Sequence, residues 1–293
     1  MEPLVLFCKT YCKDMLRARR LVRSIQKFNT DNIPVVLSVP ERDLGRFKNC
    51  FNGSACSFVT DEEILAATCS VYGDPPKTFP GHLYQQLIKL EFHRMNICRN
   101  YLWLDSDGFF IRPFSTADFL HSTGTPYLVQ HDCSDLLDFA RRTGKNKIIT
   151  DYHNTRKNMK KLFGRVGPDY DFGPSPVVWS AEVLKDMHSG YLGPKRETIY
   201  SLLTEYPCEL LLYGEFVYRA KKIPIYPVQP FFKVYHYAEQ FFEDEMRGIT
   251  REDLAAGYLG IVMQSNWARL PEQKKTLQQK VRKRLHNIAG RFR

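Results

Sequence analysis

Asp105-Ser106-Asp107 sets two carboxylates two residues apart. They follow the aromatic and apolar run Tyr101-Leu102-Trp103-Leu104 and precede a second run, Phe109-Phe110-Ile111. A run this apolar predicts a buried strand that delivers both side chains to a sheet edge. Carboxylates are hard oxygen ligands for Mg²⁺ or Mn²⁺, and an ion they hold can bridge to a diphosphate. The alternative is a turn in which the Asp side chains bond backbone amides. Spacing alone does not choose between the two, because Asp169-Tyr170-Asp171 repeats it. Only the first triplet ends a strongly apolar strand, so Asp105 and Asp107 are the candidate metal pair.

The elements that position this pair read as a parallel α/β sheet. Leu4 to Cys8 is a first strand and Pro34 to Val39 a second. Between them lies a helix with the apolar stripe Leu21, Val22, Ile25 and Phe28. A strand–helix–strand opening is the unit of such sheets. Thr10, Tyr11 and Asp14 follow the first strand, where open α/β sheets bind ligands; Thr10 or Asp14 could instead cap the helix. A helix is expected from about His82 to Ile97. Gln85, Gln86 and Lys89 fall near its start, where the helix dipole and a cation could meet an anion. Residues 134–165 read as a polar, basic helical insertion with few apolar anchors. Tyr213-Gly214-Glu215 is read at the start of a further helix.

Composition narrows the classes. The 293 residues are 43% hydrophobic and 25% charged, as expected of a soluble globular protein of one large domain or two small ones. No apolar stretch is long enough to span a bilayer, and the N-terminus shows no secretion signal. The eight cysteines form no CxxC pair, which predicts reduced thiols in the cytosol and no zinc site. Net charge is +10, and the eight Lys or Arg between Lys274 and Arg293, with no acid among them, supply most of it. The nearly neutral remainder argues against nucleic acid as a partner. Leu277, Val281, Leu285, Ile288 and Phe292 recur at helical spacing through that tail. Residues 271–293 are therefore expected to form a basic amphipathic helix, lying on an anionic membrane surface through 272–293 or docked on the body with a solvated basic face.

Taken in order, several segments carry a resemblance. They are Lys9-Thr10-Tyr11 with Asp14 and Arg17, Ser38-Val39-Pro40 with Asp43, Gln85 to Leu90, and Tyr101 to Asp107. Asp171-Phe172-Gly173-Pro174-Ser175-Pro176, Tyr213-Gly214-Glu215 and Phe232 to Tyr237 continue the series. Together they resemble the GT-A class of nucleotide-sugar glycosyltransferases. More closely, up to about Trp267, they resemble a bacterial family of lipopolysaccharide and capsule glycosyltransferases. The resemblance implies a GT-A fold, α/β and Rossmann-like, with a mostly parallel central sheet flanked by helices. Residues 1–115 would hold the nucleotide, and 116–270, with the insertion, the acceptor. Asp107 and His236, with Asp105, would bind Mn²⁺ or Mg²⁺, and Asp105 could also serve the ribose. Thr10, Tyr11 and Asp14 would meet base and ribose, and Gln86, Lys89 and Ser106 the rest of the donor, a UDP-sugar. Glu215 would be the catalytic base of an inverting reaction, a retaining one remaining open. Gly173, Pro174 and Ser175 would wall the acceptor or donor-sugar pocket. The acceptor would be a lipopolysaccharide, O-antigen or capsule glycan, met at the inner face of the cytoplasmic membrane. Two rivals share features of this pattern: a nucleotidyltransferase, weakened by the glycine-free connection after the first strand, and a non-catalytic sugar-binding module.

Overall fold

Leu4 to Cys8 are all buried, as a strand covered on both faces requires, and they form the middle of the central sheet. The computed structural model describes residues 1–174, 176–265 and 267. Ser175 and the expected tail helix at 271–293 lie outside the described residues. The central sheet contains β1 (Glu2–Lys9), β2 (Val35–Val39), β3 (Ser57–Thr60), β4 (Cys98–Leu104) and β7 (Val177–Ser180), in the order β3-β2-β1-β4-β7. All pair in parallel except β7, which runs antiparallel to β4. A second sheet has the order β5-β10-β9, from β5 (Gly108–Phe110), β9 (Phe232–Tyr235) and β10 (Gly260–Met263). The two-residue strands β6 (Leu128–Val129) and β8 (Pro227–Val228) pair with each other. Asp105-Ser106-Asp107 is thus the connection between the two larger sheets.

Helices α1 (Met15–Phe28), α2 (Glu41–Cys50), α3 (Asp61–Tyr72) and α4 (Tyr84–Glu91) accompany the parallel strands. The second half adds α5 (Ser134–Arg142), α6 (Asn146–Phe163), α7 (Ala181–Asp186), the single turn α8 (Gly193–Lys195), α9 (Ile199–Glu205) and α10 (Glu209–Ala220). Short α11 (Ala238–Met246) and α12 (Arg251–Ala255) precede β10. The stripe predicted for α1 is buried at Leu21, Val22 and Ile25, joined by Ala18. The core between sheet and helices is aromatic: Phe7 stacks on Phe92 at 3.9 Å, and Trp103 packs edge-on to Trp179 at 5.3 Å.

Several expectations are corrected. The helix expected from His82 to Ile97 is a composite in which α4 is flanked by 3₁₀ turns at Gly81–Leu83 and Phe92–Met95. Lys89 therefore sits in the last turn of α4, and the helix N-terminus does not share its anion. Neither Thr10 nor Asp14 caps α1; Asp14 bonds Arg17 at 2.7 Å instead. The segment 134–165 is two helices with real anchors, since Leu137, Phe139, Tyr152, Met159 and Phe163 are buried. Their apolar residues are too widely spaced among Lys and Asn to stand out in sequence. Glu215 is the seventh residue of α10, not at its start. Strand Gly260–Met263 is too short to show a period in the sequence.

Candidate active site

The carboxyl ends of β1 and β4 lie side by side, Cys8 against Leu104, and they place the loops that follow each strand together. Thr10, just past β1, is buried, and its Oγ1 has no hydrogen-bond partner among the described residues. Asp43 at the start of α2 fixes the next stretch by accepting the Cys12 amide at 2.9 Å. Tyr11 is exposed beside it.

Past β4, Ser106 is buried and Asp107 is tied down from three directions. Its backbone carbonyl accepts Arg20 Nη2 at 3.1 Å and the Met263 amide at 3.2 Å, and its Oδ2 accepts the Ser265 amide at 2.9 Å. Oδ1 is buried without a hydrogen-bond partner among the described residues. Burial, with the neighbouring Asp105 charge, pushes the Asp107 carboxyl up to about 7; the Ser265 amide and Arg17 offset part of this, and Asp14 adds to it. Arg17 only partly compensates the charged carboxylate. A divalent ion at Asp105 and Asp107 would supply the remaining positive charge, so these two carboxylates fit such an ion.

Lys89 is a fixed cation at Asp105. Its ammonium is buried, lies 3.0 Å from Asp105 Oδ1 and 3.3 Å from Glu209 Oε1, and rests 3.9 Å from the centre of the Trp103 ring. Burial opposes its charge, but Asp105 and Glu209 outweigh burial and hold it above the ordinary lysine value. Glu209, the first residue of α10, is thereby brought to the site. Sequence reasoning passed over it; its signal was position, an acid at a helix start. Gln86 instead faces the turn before α10, where its Nε2 bonds the Pro207 carbonyl at 3.4 Å.

His236 follows β9. Its Nδ1 meets Gln264 Nε2 at 3.2 Å, and the next residue, Ser265, is the one that binds Asp107. One short segment after β10 thus contacts both residues, but the ligand atoms of Asp105, Asp107 and His236 are not gathered into one cluster, and the charges facing His236 are Asp171, His131, Asp135 and Lys233. Burial lowers the His236 pKa, which favours the neutral imidazole a metal needs. His236 and Pro174 line one small cavity with His131, Asp135 and Lys233.

The second triplet and the Tyr-Gly-Glu motif make ion-pair and packing contacts. Asp169 pairs with Lys160 and His153, and Asp171 with Arg156 at 2.5 Å, tying α6 to the loop before β7. Phe172 lies over Gly214 so closely that a Cβ there would sit 2.0 Å from its ring, and one on Gly173 would meet Leu210 at 2.6 Å. Tyr213 Oη accepts the Ser180 amide at 2.7 Å. Glu215 is fully buried, and Arg165 grips both its oxygens through Nε and Nη2. A carboxylate doubly held by a guanidinium cannot readily accept a proton. The structure therefore does not support Glu215 as the base.

Residues 3–218 match the model of DUF6492, a family of unknown function. The chain belongs to this family. No curated protein matches the chain. Among solved structures, the WbbM bifunctional glycosyltransferase in its apo form is similar at 10% identity and a TM-score of 0.51. That similarity covers 91% of this chain and 46% of the other, so this chain spans less than half of that protein. Mouse xyloside xylosyltransferase 1, apo form, aligns at 10% identity over 91% of this chain and 99% of its own, with a TM-score of 0.45. The mixed α/β architecture around a mostly parallel sheet, and its likeness to WbbM, show that this DUF6492 chain has the GT-A-like fold expected from the sequence.

Proposed function

We propose that this chain is a divalent-metal-dependent glycosyltransferase, taking a sugar from a nucleotide diphosphate, UDP foremost, to a bacterial surface glycan. The observation that carries the reading is the buried, unpartnered Oδ1 of Asp107 beside Asp105 at the carboxyl end of β4. Asp105 and Asp107 would hold Mn²⁺ or Mg²⁺, and His236 would join them only after a movement of the segment that follows β9. When bound, the ion neutralises charge growing on the departing diphosphate.

The chain's own residues divide the remaining work. Thr10 Oγ1 offers a free hydrogen bond, and Tyr11 an exposed ring, to the base and ribose. Lys89 is held where it can exchange one carboxylate partner for a diphosphate oxygen. Glu209 would then be released to take the acceptor's proton, the role first assigned to Glu215. A cleft of about 830 Å³ between α6 and the turn leading into α10 reaches Cys208, next to Glu209. Asn154, Thr155 and Asn158 line it with groups suited to sugar hydroxyls, and we assign it to the acceptor.

The basic tail is read as a hold on the inner face of the cytoplasmic membrane. The described residues contain no helix long and apolar enough to cross one. The test of the reaction is a donor screen: release of UDP, GDP or CMP from the corresponding sugar nucleotides with Mn²⁺, followed by NMR of the product anomer. UDP release that needs Mn²⁺ and Asp107 is expected; no release from any donor would contradict the reading.

A further inference from the structure

We propose that Glu91, His93 and His188 form a second divalent-metal site, of zinc type, separate from Asp105 and Asp107. Glu91 ends α4, His93 lies in the turn after it, and His188 follows α7. All three are buried, and one ligand atom from each lies within 4.8 Å of the other two.

The outer atoms of the three side chains are already engaged. Glu91 Oε2 receives Thr68 Oγ1 at 3.1 Å and Arg94 Nε. His93 Nδ1 meets the Leu90 carbonyl at 2.8 Å, leaving Nε2 as the nitrogen it can offer. His188 Nδ1 meets the Tyr72 hydroxyl at 2.5 Å. Ligating histidines are usually oriented in this way, through a hydrogen bond from the other ring nitrogen.

The inner atoms of Glu91 and His188 face each other. Glu91 Oε1 and His188 Nε2 lie 2.9 Å apart as a buried ion pair, and neither has a further hydrogen-bond partner among the described residues. A metal ion would take the place of the proton that this pair shares, with His93 as its third ligand. Two imidazoles and a carboxylate with a fourth position left open are a zinc donor set. The cysteine pattern predicted no zinc, and this set uses no cysteine. An ion here would tie the end of α4, two residues beyond Lys89, to the helical turn after α7. Its role would be to hold Lys89 in place.

The experiment is elemental analysis of the untagged full chain purified without chelator, followed by replacement of the bound ion with Co²⁺. About one zinc per chain and the visible absorption of four-coordinate cobalt are expected. Asp107→Asn should keep the ion, and His188→Gln and His93→Gln should lose it. Should those variants fail to fold, melting of the wild-type chain decides: chelator should lower Tm, and zinc but not magnesium should restore it. Wild-type protein that carries no zinc and melts identically with chelator or added zinc would overturn the proposal. So would zinc retained in both histidine variants.

Discussion

At the scale of single residues, metal binding depends on Asp107. Its folded pKa of about 7 stands above the ordinary aspartate value of 3.8. In the metal-free chain, protonated Asp107 favours the fold, so this contribution is full below 3.8 and is lost as pH rises through about 7. A metal competes with the same proton. Apparent Mn²⁺ affinity should therefore fall about tenfold per pH unit below 7, and the Tm gained on adding Mn²⁺ should be larger at pH 8 than at pH 6. Calorimetric titration at several pH values checks the first, and melting curves the second. Glu215 and Glu209 give the opposite test. Arg165→Ala leaves the Glu215 carboxylate buried without its guanidinium and should cost about 3–5 kcal/mol in denaturant unfolding. Glu215→Gln should lower Tm without lowering turnover per folded molecule. Glu209→Gln should lower kcat about 10²- to 10⁴-fold, the usual weight of a proton-transfer group. Asp105 and Asp107 stand out in the sequence because a buried strand announces its own end, whereas Lys89, expected near a helix start, lies in the last turn of α4. Glu215 misleads because a Glu beside a Gly looks alike whether it faces solvent or a guanidinium fifty residues away.

At the scale of elements, the loop before β7 and α10 interlock by shape. Phe172 fills the space left by the missing Cβ of Gly214, and Leu210 does the same at Gly173. Gly214→Ala should destabilise by about 1–3 kcal/mol through overpacking, and a second change, Phe172→Leu, should recover part of that. Chemical denaturation of the two variants measures both effects. A single sequence shows such motifs as a run of unusual residues, and sites and packing joints leave the same mark. Strands β1, β2 and β4 were legible because both faces are covered, so their apolar runs are unbroken. β10 was not legible, because four residues have no period and its partners β5 and β9 are remote in the chain. The buried anchors of α5 and α6 were hidden for a related reason: their partners lie on other elements, and the exposed Lys and Asn between them dominate the composition.

At the scale of the whole molecule, the first half of the chain supplies the carboxylate edge and the second half closes it. Lys89 joins the two through Asp105 and Glu209, and the segment after β10 joins Asp107 to His236. The GT-A-like fold was legible from motif order, and the likeness to WbbM supports it independently. The tail is a separate matter of charge. If it binds anionic lipid, deleting residues 272–293 should move the protein from the membrane to the soluble fraction and spare activity on a soluble acceptor. Unchanged fractionation would remove the membrane role.

The central claim, that Asp105 and Asp107 hold a metal for a nucleotide diphosphate, is tested most directly by melting the protein with UDP in the presence and absence of Mn²⁺. UDP should raise Tm only with Mn²⁺, and Asp107→Asn should abolish the gain while leaving the Tm of the ligand-free protein unchanged or higher. UDP protection that is independent of Mn²⁺, or that survives in Asp107→Asn, would contradict the claim.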